Sequence, residues 1–158
     1  MLPPVGFKIL VPLVHILLLL NCDSFSQTPY LLADTASIHR LDKHVEIFID
    51  PTDSISIDQV VSSSFQNRFQ PSKSNLTFGY MKSSIWLKVK VKTIAPKLNW
   101  YLEIPAPFLE YVDFYQNSEN GLHHSSSGYY RPQHVKDLSH TGHLLSLQFN
   151  TDSMATVY

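Results

Sequence analysis

Cysteine is almost absent from this 158-residue sequence, in which Cys22 stands alone. Glycine is scarce as well, with five residues, and no phosphate-binding glycine loop, Gly-x-Ser-x-Gly elbow or His-Glu-x-x-His pair occurs. A single cysteine excludes a disulfide within the chain. The sequence also lacks the motifs by which the common hydrolases are recognised. We therefore predict that the chain is not an enzyme, with no catalytic residue, no metal ligand and no cofactor.

An excess of either charge is also missing. Lysine and arginine number 12 against 13 aspartates and glutamates, which gives a formal net charge of -1. Such a balance does not favour binding to nucleic acid. Hydrophobic residues make up 44%, a normal share for a globular protein, and the length suits one domain around a single core.

The first residues differ from the rest. Lys8 precedes an apolar run at residues 9–20, which is shorter than the ~20 residues that a membrane-spanning helix needs. A basic residue before a short apolar run, followed by small residues, is typical of a secretory signal. We predict a signal peptide at residues 1–26, with a cut between Ser26 and Gln27. Lipid attachment at Cys22 is the alternative.

The clearest periodicity lies at residues 85–92. Ile85, Leu87, Val89 and Val91 alternate with a second set of side chains, which comprises Trp86, Lys88, Lys90 and Lys92. Successive side chains of a strand point to opposite faces, so the pattern predicts a strand with an aliphatic inner face and a cationic face in water.

Other segments fit the same all-β plan, a sandwich or barrel of short strands. Residues 27–44 are interpreted as a polar lead-in and residues 45–158 as the β domain. A short helix capped by Ser56 is predicted at residues 56–61, and a long connection at residues 62–84. The remaining predicted strands are at 45–49, 100–104, 109–115, from 122 toward 130, 143–149 and 155–158.

Histidines and carboxylates offer weaker signals. The chain has eight histidines, and His140 and His143 have a spacing seen in metal sites, yet no cysteine or glutamate completes a ligand set. We interpret the histidines as scattered surface residues. Glu103, Glu110 and Asp113 alternate with apolar neighbours, which indicates a solvated strand face.

Aromatic residues are the better candidates for a binding surface. Exposed rings beside polar groups form the flat platform on which a sugar ring binds. We predict Trp86, Trp100, Tyr111 and Tyr129 as ligand-binding residues. The alternative is that these rings pack in the core or under loops.

An ordered series of motifs carries a family resemblance over residues 30–158. The motifs are Asp50-Pro, Ser56-Ile-Asp-Gln-Val60, Phe69-Gln-Pro71, Phe78-Gly-Tyr80, Ser84-Ile-Trp-Leu-Lys88, the segments 100–104 and 109–115, Gly128, Arg131-Pro132, 143–149 and Thr156-Val-Tyr158. This order resembles the type 2 extracellular domain of bacterial seven-transmembrane receptors with diverse intracellular signalling modules.

The resemblance implies a jelly-roll-like antiparallel β-sandwich similar to carbohydrate-binding modules. It implies an exported, periplasmic domain of an inner-membrane receptor that binds a small-molecule or carbohydrate ligand and acts through seven membrane helices of the same protein. The output would be a histidine kinase or a diguanylate cyclase. Family members usually carry arginine where Lys88 stands, and Lys88 and Arg131 join the predicted ligand-binding residues.

The sequence leaves several points open. The last predicted strand reaches Tyr158, so we expect a fragment of a longer reading frame. A secreted carbohydrate-binding module is the alternative function. The ligand, the output module and the oligomeric state, a homodimer included, are not specified by the sequence.

Overall fold

The computed structural model describes residues 28–33, 38–73, 76–95, 98–118, 121–132, 141–149 and 153–158. The predicted signal peptide and Cys22 lie outside the described residues, as does His140. A 3-10 turn occupies Asp42–His44. The two helical turns are α1 (Ile57–Val60) and α2 (Ser63–Gln66). The strands are β1 (Tyr30–Leu32), β2 (Val45–Asp50), β3 (Gln70–Pro71), β4 (Ser84–Thr93), β5 (Trp100–Ile104), β6 (Val112–Ser118), β7 (Gly121–Ser127), β8 (His143–Leu147) and β9 (Met154–Val157).

Two sheets of unequal size contain these strands. The large sheet has the order β3-β2-β4-β9-β6-β7, with β1 beside β4, and the small sheet pairs β5 with β8. The described strand pairs are antiparallel apart from β1 with β4, which is parallel. This architecture confirms the predicted all-β antiparallel sandwich. The strand β1 comes from the segment that was interpreted as a polar lead-in.

The main core lies between the two sheets. Val89 and Val91 of β4 are buried, and Leu87 packs against the same cluster, as the alternation predicted. The small sheet contributes the buried Leu145, while Leu102 packs against the cluster at its edge. Alternation therefore identified the inner face of β4 correctly, because apolar burial between two sheets needs a period of two.

A second, smaller core covers part of the opposite face of the large sheet, which we call the outer face. Val60, Phe65 and Phe69 are buried there, and Phe48 and Trp86 pack against them. The prediction of one long connection at residues 62–84 is wrong in this part, since α2 and β3 form within it. The many serines of this segment indicated a loop, although Phe65 and Phe69 within it are buried.

The turn after β2 places α1. Asp50 Oδ1 accepts hydrogen bonds from the Thr52 backbone N–H at 3.0 Å and the Thr52 hydroxyl at 2.6 Å. Its Oδ2 accepts from the backbone N–H groups of Ser54 and Ile55, both at 2.9 Å. The pKa of Asp50 is lowered to about 2. The hydrogen bond from the Thr52 hydroxyl is the largest cause and the backbone donors add to it, while burial opposes the shift. At the helix start, the Ser56 N–H donates to Gln59 Oε1 at 2.9 Å, which confirms the predicted cap.

The strand β9 occupies the middle of the large sheet. Val157 lies opposite Val89 of β4 on one side and opposite Gln116 of β6 on the other. Beyond it, Tyr158 and Tyr115 exchange two backbone hydrogen bonds of 2.8 and 2.9 Å. The end of β9 is therefore coupled directly to β6.

Candidate ligand site on the outer face of the large sheet

The outer face has two halves with different surroundings. The covered half lies on β2 and β4 beneath α1 and α2, where the second core packs. The open half lies on β6 and β7. Trp86 of β4 lies at the boundary between the halves, since it packs against the second core and its ring also contacts the Tyr115 ring. The two halves share one sheet, so the differences between them come from what lies above it.

Lys88 is enclosed in the covered half. It is 3% exposed, and its ammonium makes an ion-pair contact with Oε2 of Glu46, without hydrogen-bond geometry. The Lys88 Nζ also donates to Gln66 Oε1 at 3.2 Å and lies 4.7 Å from the centre of the Phe69 ring. The predicted cationic face in water is therefore wrong at Lys88, although Lys92 is exposed as expected.

A ring platform forms in the open half. The register of β6 and β7 places Tyr115 directly opposite His124, and their rings stack with centroids 4.6 Å apart and planes 7° apart. Trp86 extends the platform from β4, with its ring centroid 6.2 Å from that of Tyr115. Because cross-strand neighbours lie side by side on one face, three residues distant in sequence provide one aromatic surface.

Asp113 links this platform to a cation. It accepts hydrogen bonds from the Ser126 hydroxyl at 2.6 Å and from Arg131 at 3.2 Å, and His124 Nε2 lies 3.0 Å from the same carboxylate. Burial raises the pKa of Asp113, but Ser126, His124 and Arg131 more than offset it, so that the pKa lies below its ordinary value of 3.8. The carboxylate is therefore ionised at neutral pH. The Arg131 guanidinium lies 5.3 Å from the centre of the Tyr111 ring, which extends the surface further.

The Ser126, His124 and Asp113 side chains do not form a catalytic triad. In a triad, the carboxylate and the hydroxyl contact opposite nitrogens of the imidazole. Here Asp113 and Ser126 both approach Nε2 of His124, at 3.0 and 3.2 Å. The arrangement holds the imidazole in place and does not activate the hydroxyl as a nucleophile. Within the described residues, no three histidine, cysteine, aspartate or glutamate side chains are grouped closely enough to hold a metal ion.

Two N–H donors beside the platform are not used within the described part of the chain. Trp86 Nε1 and Arg131 Nε are shielded from solvent and have no hydrogen-bond partner there. A shielded donor without an acceptor costs free energy, about 1–3 kcal/mol for a typical group. A ligand oxygen or a water that reached either group would recover part of that cost.

The predicted ligand-binding residues divide between several places. Trp86, Arg131 and Tyr111 are brought together at the open half. Ring contacts connect Tyr129 to Tyr111 through Tyr130, at centroid distances of 5.3 and 5.9 Å. Two others lie elsewhere, Lys88 in the covered half and Trp100 on the small sheet near the His39 ring.

Sequence reasoning missed the centre of the open half, namely Tyr115, His124, Asp113 and Ser126. The available signal was the predicted turn at residues 117–121. A short connection limits the pairing of its two flanking strands, and the observed register places Tyr115 opposite His124 and Asp113 opposite Ser126. Exposure at Glu103 and Glu110 is as predicted, whereas Asp113 is only partly exposed.

His143 was also misassigned. It is 1% exposed, so the interpretation as a surface histidine is wrong. Its Nδ1 lies 2.8 Å from the Ser127 hydroxyl and its Nε2 lies 3.0 Å from the Ala106 carbonyl oxygen. Because a carbonyl only accepts, Nε2 donates to Ala106, and in the neutral imidazole Nδ1 then accepts from the Ser127 hydroxyl. The residue ties the loop after β5 to the two sheets.

The described residues form an all-β sandwich with a partly exposed ring platform and an ionised carboxylate on one face. The model of the family 7TMR-DISM extracellular 2 matches residues 42–158, and the chain belongs to this family. This family consists of extracellular domains of membrane receptors and is not itself catalytic. The comparison with curated proteins gives no match. Across the described ranges, no helix has both the length and the apolar character that crossing a bilayer requires.

Proposed function

We propose that the chain is the periplasmic ligand-sensing domain of an inner-membrane receptor and that the ligand binds at the open half of the outer face. The observation that carries this proposal is an unbroken series of contacts from Trp86 through Tyr115, His124 and Asp113 to Arg131. These groups are partly exposed, and they combine apolar faces with polar atoms of both signs.

The chemistry of the open half suits a small molecule with a flat apolar face and several hydroxyl groups, and a saccharide is the ligand class we propose. The face of the His124 ring that is turned away from Tyr115 belongs to a side chain that is 48% exposed, and it offers an apolar surface for a sugar ring. Asp113 offers oxygens that accept from hydroxyls. The Arg131 guanidinium, whose side chain is 36% exposed, supplies N–H donors for a ligand oxygen.

Signal transfer would start at Tyr115. This residue contributes its ring to the platform and its backbone to the two hydrogen bonds with Tyr158 at the end of β9. A ligand that binds one arrangement of β6 and β9 more tightly than another shifts the population toward that arrangement. Seven membrane helices of the same receptor would carry the shift to a histidine kinase or diguanylate cyclase output.

Binding to a glycan array, followed by calorimetric titration of each saccharide that binds, tests the ligand proposal. Arg131→Ala and His124→Ala are each expected to weaken binding about 5- to 30-fold, since each removes a polar or stacking contact of about 1–2 kcal/mol. Tyr101→Ala is the matched control, because Tyr101 is an exposed aromatic residue on the small sheet. Equal loss in the control, or no loss in the two variants, would place the ligand elsewhere.

The receptor assignment has its own test. Translating the gene beyond Tyr158 is expected to give seven apolar segments of membrane-spanning length, each of about 20 residues, and a signalling module after them. A stop codon directly after Tyr158 would contradict the assignment without affecting the ligand proposal.

A further inference from the structure

One end of the sandwich carries an exposed group of large apolar side chains. Phe108 and Leu109 lie in the loop between β5 and β6, and Tyr129 and Tyr130 follow β7. Their exposed fractions are 84%, 42%, 66% and 60% in that order. We call these four residues the aromatic end. Apolar groups of this size gathered at one place on a soluble domain commonly mark a contact surface.

The two loops that form the aromatic end are fastened to each other. Tyr129 N–H donates to the Leu109 carbonyl at 2.7 Å, and Tyr130 N–H donates to the Glu110 carbonyl at 3.2 Å. Gly128 permits this approach, since its φ is +133° and a Cβ there would overlap the Glu110 carbonyl oxygen. The exposed rings are therefore held in place by backbone hydrogen bonds.

The strand β9 points toward the aromatic end. β9 runs antiparallel to β6, and Tyr158 lies opposite Tyr115, so continuing in the same direction leads toward Val112 and the aromatic end. In the described part of the chain, residues 84–88 of β4 and 112–114 of β6 have no strand partner on the side of β9. A segment that continued β9 would fit between them and leave the sandwich beside the aromatic end.

We propose that the aromatic end contacts the lipid headgroup region of the membrane to which the receptor is anchored. The inference rests on the receptor assignment proposed above and does not require that a saccharide bind at the neighbouring open half. Tyrosine is enriched at membrane interfaces because its ring lies among acyl chains while its hydroxyl stays hydrated. At the opposite end, within the described residues, the exposed large apolar side chains are mainly aliphatic, namely Ile94, Leu98 and Leu122, with the ring of Tyr101 near the start of β5.

The contact acts only when the domain is tethered. With a net charge of -1, the chain has no electrostatic attraction to anionic lipids, so its rings are the source of affinity. A tether to the membrane raises the effective concentration of lipid at the aromatic end and makes a weak contact sufficient. The contact would hold the end of β9 at a fixed height above the bilayer.

Site-specific photo-crosslinking in the full-length receptor, in native membranes, tests the proposal. Phe108 and Tyr129 are each replaced by p-benzoylphenylalanine, a change that retains an aromatic ring. The matched controls carry the same residue at Tyr101 on the small sheet and at Leu122, which lies at the far end of β7, about 20 Å away along the strand. We expect phospholipid adducts, identified by mass spectrometry, at positions 108 and 129. At the two control positions we expect adduct yields no higher than background.

Other outcomes overturn the proposal. Adducts with the receptor's own extracellular loops or with a second receptor copy at positions 108 and 129 would replace the lipid by protein. Lipid adducts of equal yield at the controls, or no adduct at all, would also contradict it. None of these results depends on a ligand, so they are distinguishable from failure of saccharide binding.

Discussion

The outer face of the large sheet carries two pairs of opposite charge, and they differ in what covers them. Lys88 and Glu46 in the covered half have side chains that are 4% and 5% exposed, whereas Arg131 and Asp113 in the open half are 36% and 29% exposed. Lys88 and Glu46 are cross-strand neighbours, and Asp113 lies two strands away on the same sheet. The role of a charged side chain on this sheet therefore depends on the segment that folds above it, and not on its position along a strand.

The cover changes what each pair can do. A charge inside the covered half has lost its hydration, and losing its partner as well would leave it uncompensated in an apolar environment. A charge in the open half keeps contact with water, so it can exchange water for a ligand at small cost. We therefore assign the first pair to stability and the second to recognition, and the predictions below separate the two.

The largest effect is expected for Lys88→Met. Removing the ammonium leaves the Glu46 carboxylate buried and unpaired, which we expect to lower the free energy of unfolding by about 3–5 kcal/mol in urea titrations. The double change Lys88→Met with Glu46→Leu should recover most of that loss, since no charge is left behind. A single variant within about 1 kcal/mol of the unchanged protein would mean that the covered half is hydrated.

Phe65→Ala examines the cover itself. Phe65 is 7% exposed and its ring contacts the Phe48 ring at a centroid distance of 4.9 Å. We expect a loss of about 3 kcal/mol from the removed ring and the cavity that it leaves. Tyr80→Ala is the control, because Tyr80 is 90% exposed, and it should leave the unfolding curve unchanged. Similar curves for Phe65→Ala and the control would show that α2 does not cover the sheet.

Acid is expected to weaken the covered half through Asp50. Its pKa is about 2 in the folded chain against an ordinary value of 3.8, so its contribution to stability is complete above pH 3.8 and disappears as the pH falls toward 2. In Asp50→Asn, the melting temperature should fall less steeply between these pH values. Asp113→Asn provides a comparison in the open half, where the pKa is lowered as well. If the melting temperature of Asp50→Asn fell with pH as steeply as that of the unchanged protein, Asp50 would not be a source of the acid sensitivity.

The smallest effect on stability is expected for Arg131→Ala. Exposed ion pairs contribute about 0–1 kcal/mol, so the urea midpoint should move little while saccharide binding weakens. Circular dichroism of the variant checks that the sandwich is intact. A loss of stability comparable with that of Lys88→Met would mean that the two pairs do not differ in role.

The strands were predictable because alternation is local. Val89 and Val91 are buried as expected, and β5 was predicted with its observed bounds. The exposure of the other face was not predictable in the same way, because it depends on Phe65 and Phe69, which lie some 20 residues earlier in a serine-rich segment. A period of two shows which residues share a face and does not show what covers that face.

The candidate site was predictable only in part. Trp86 attracts attention as a single residue, since a large ring is common in binding surfaces, and Arg131 was included through the family resemblance. The stack of Tyr115 on His124 arises from the pairing register of β6 and β7, which the sequence specifies only through the turn that joins them. Asp113 was interpreted as one carboxylate on a solvated face, and its three partners became visible only in three dimensions.

The most direct test of the central claim is hydrogen–deuterium exchange of the chain with and without a saccharide that binds it on the array. We predict slower exchange on binding at residues 112–117 and 122–131, in the open half, and unchanged exchange at residues 57–70, in the covered half. Protection confined to residues 57–70 or to the small sheet, or the absence of any saccharide that binds, would contradict the account.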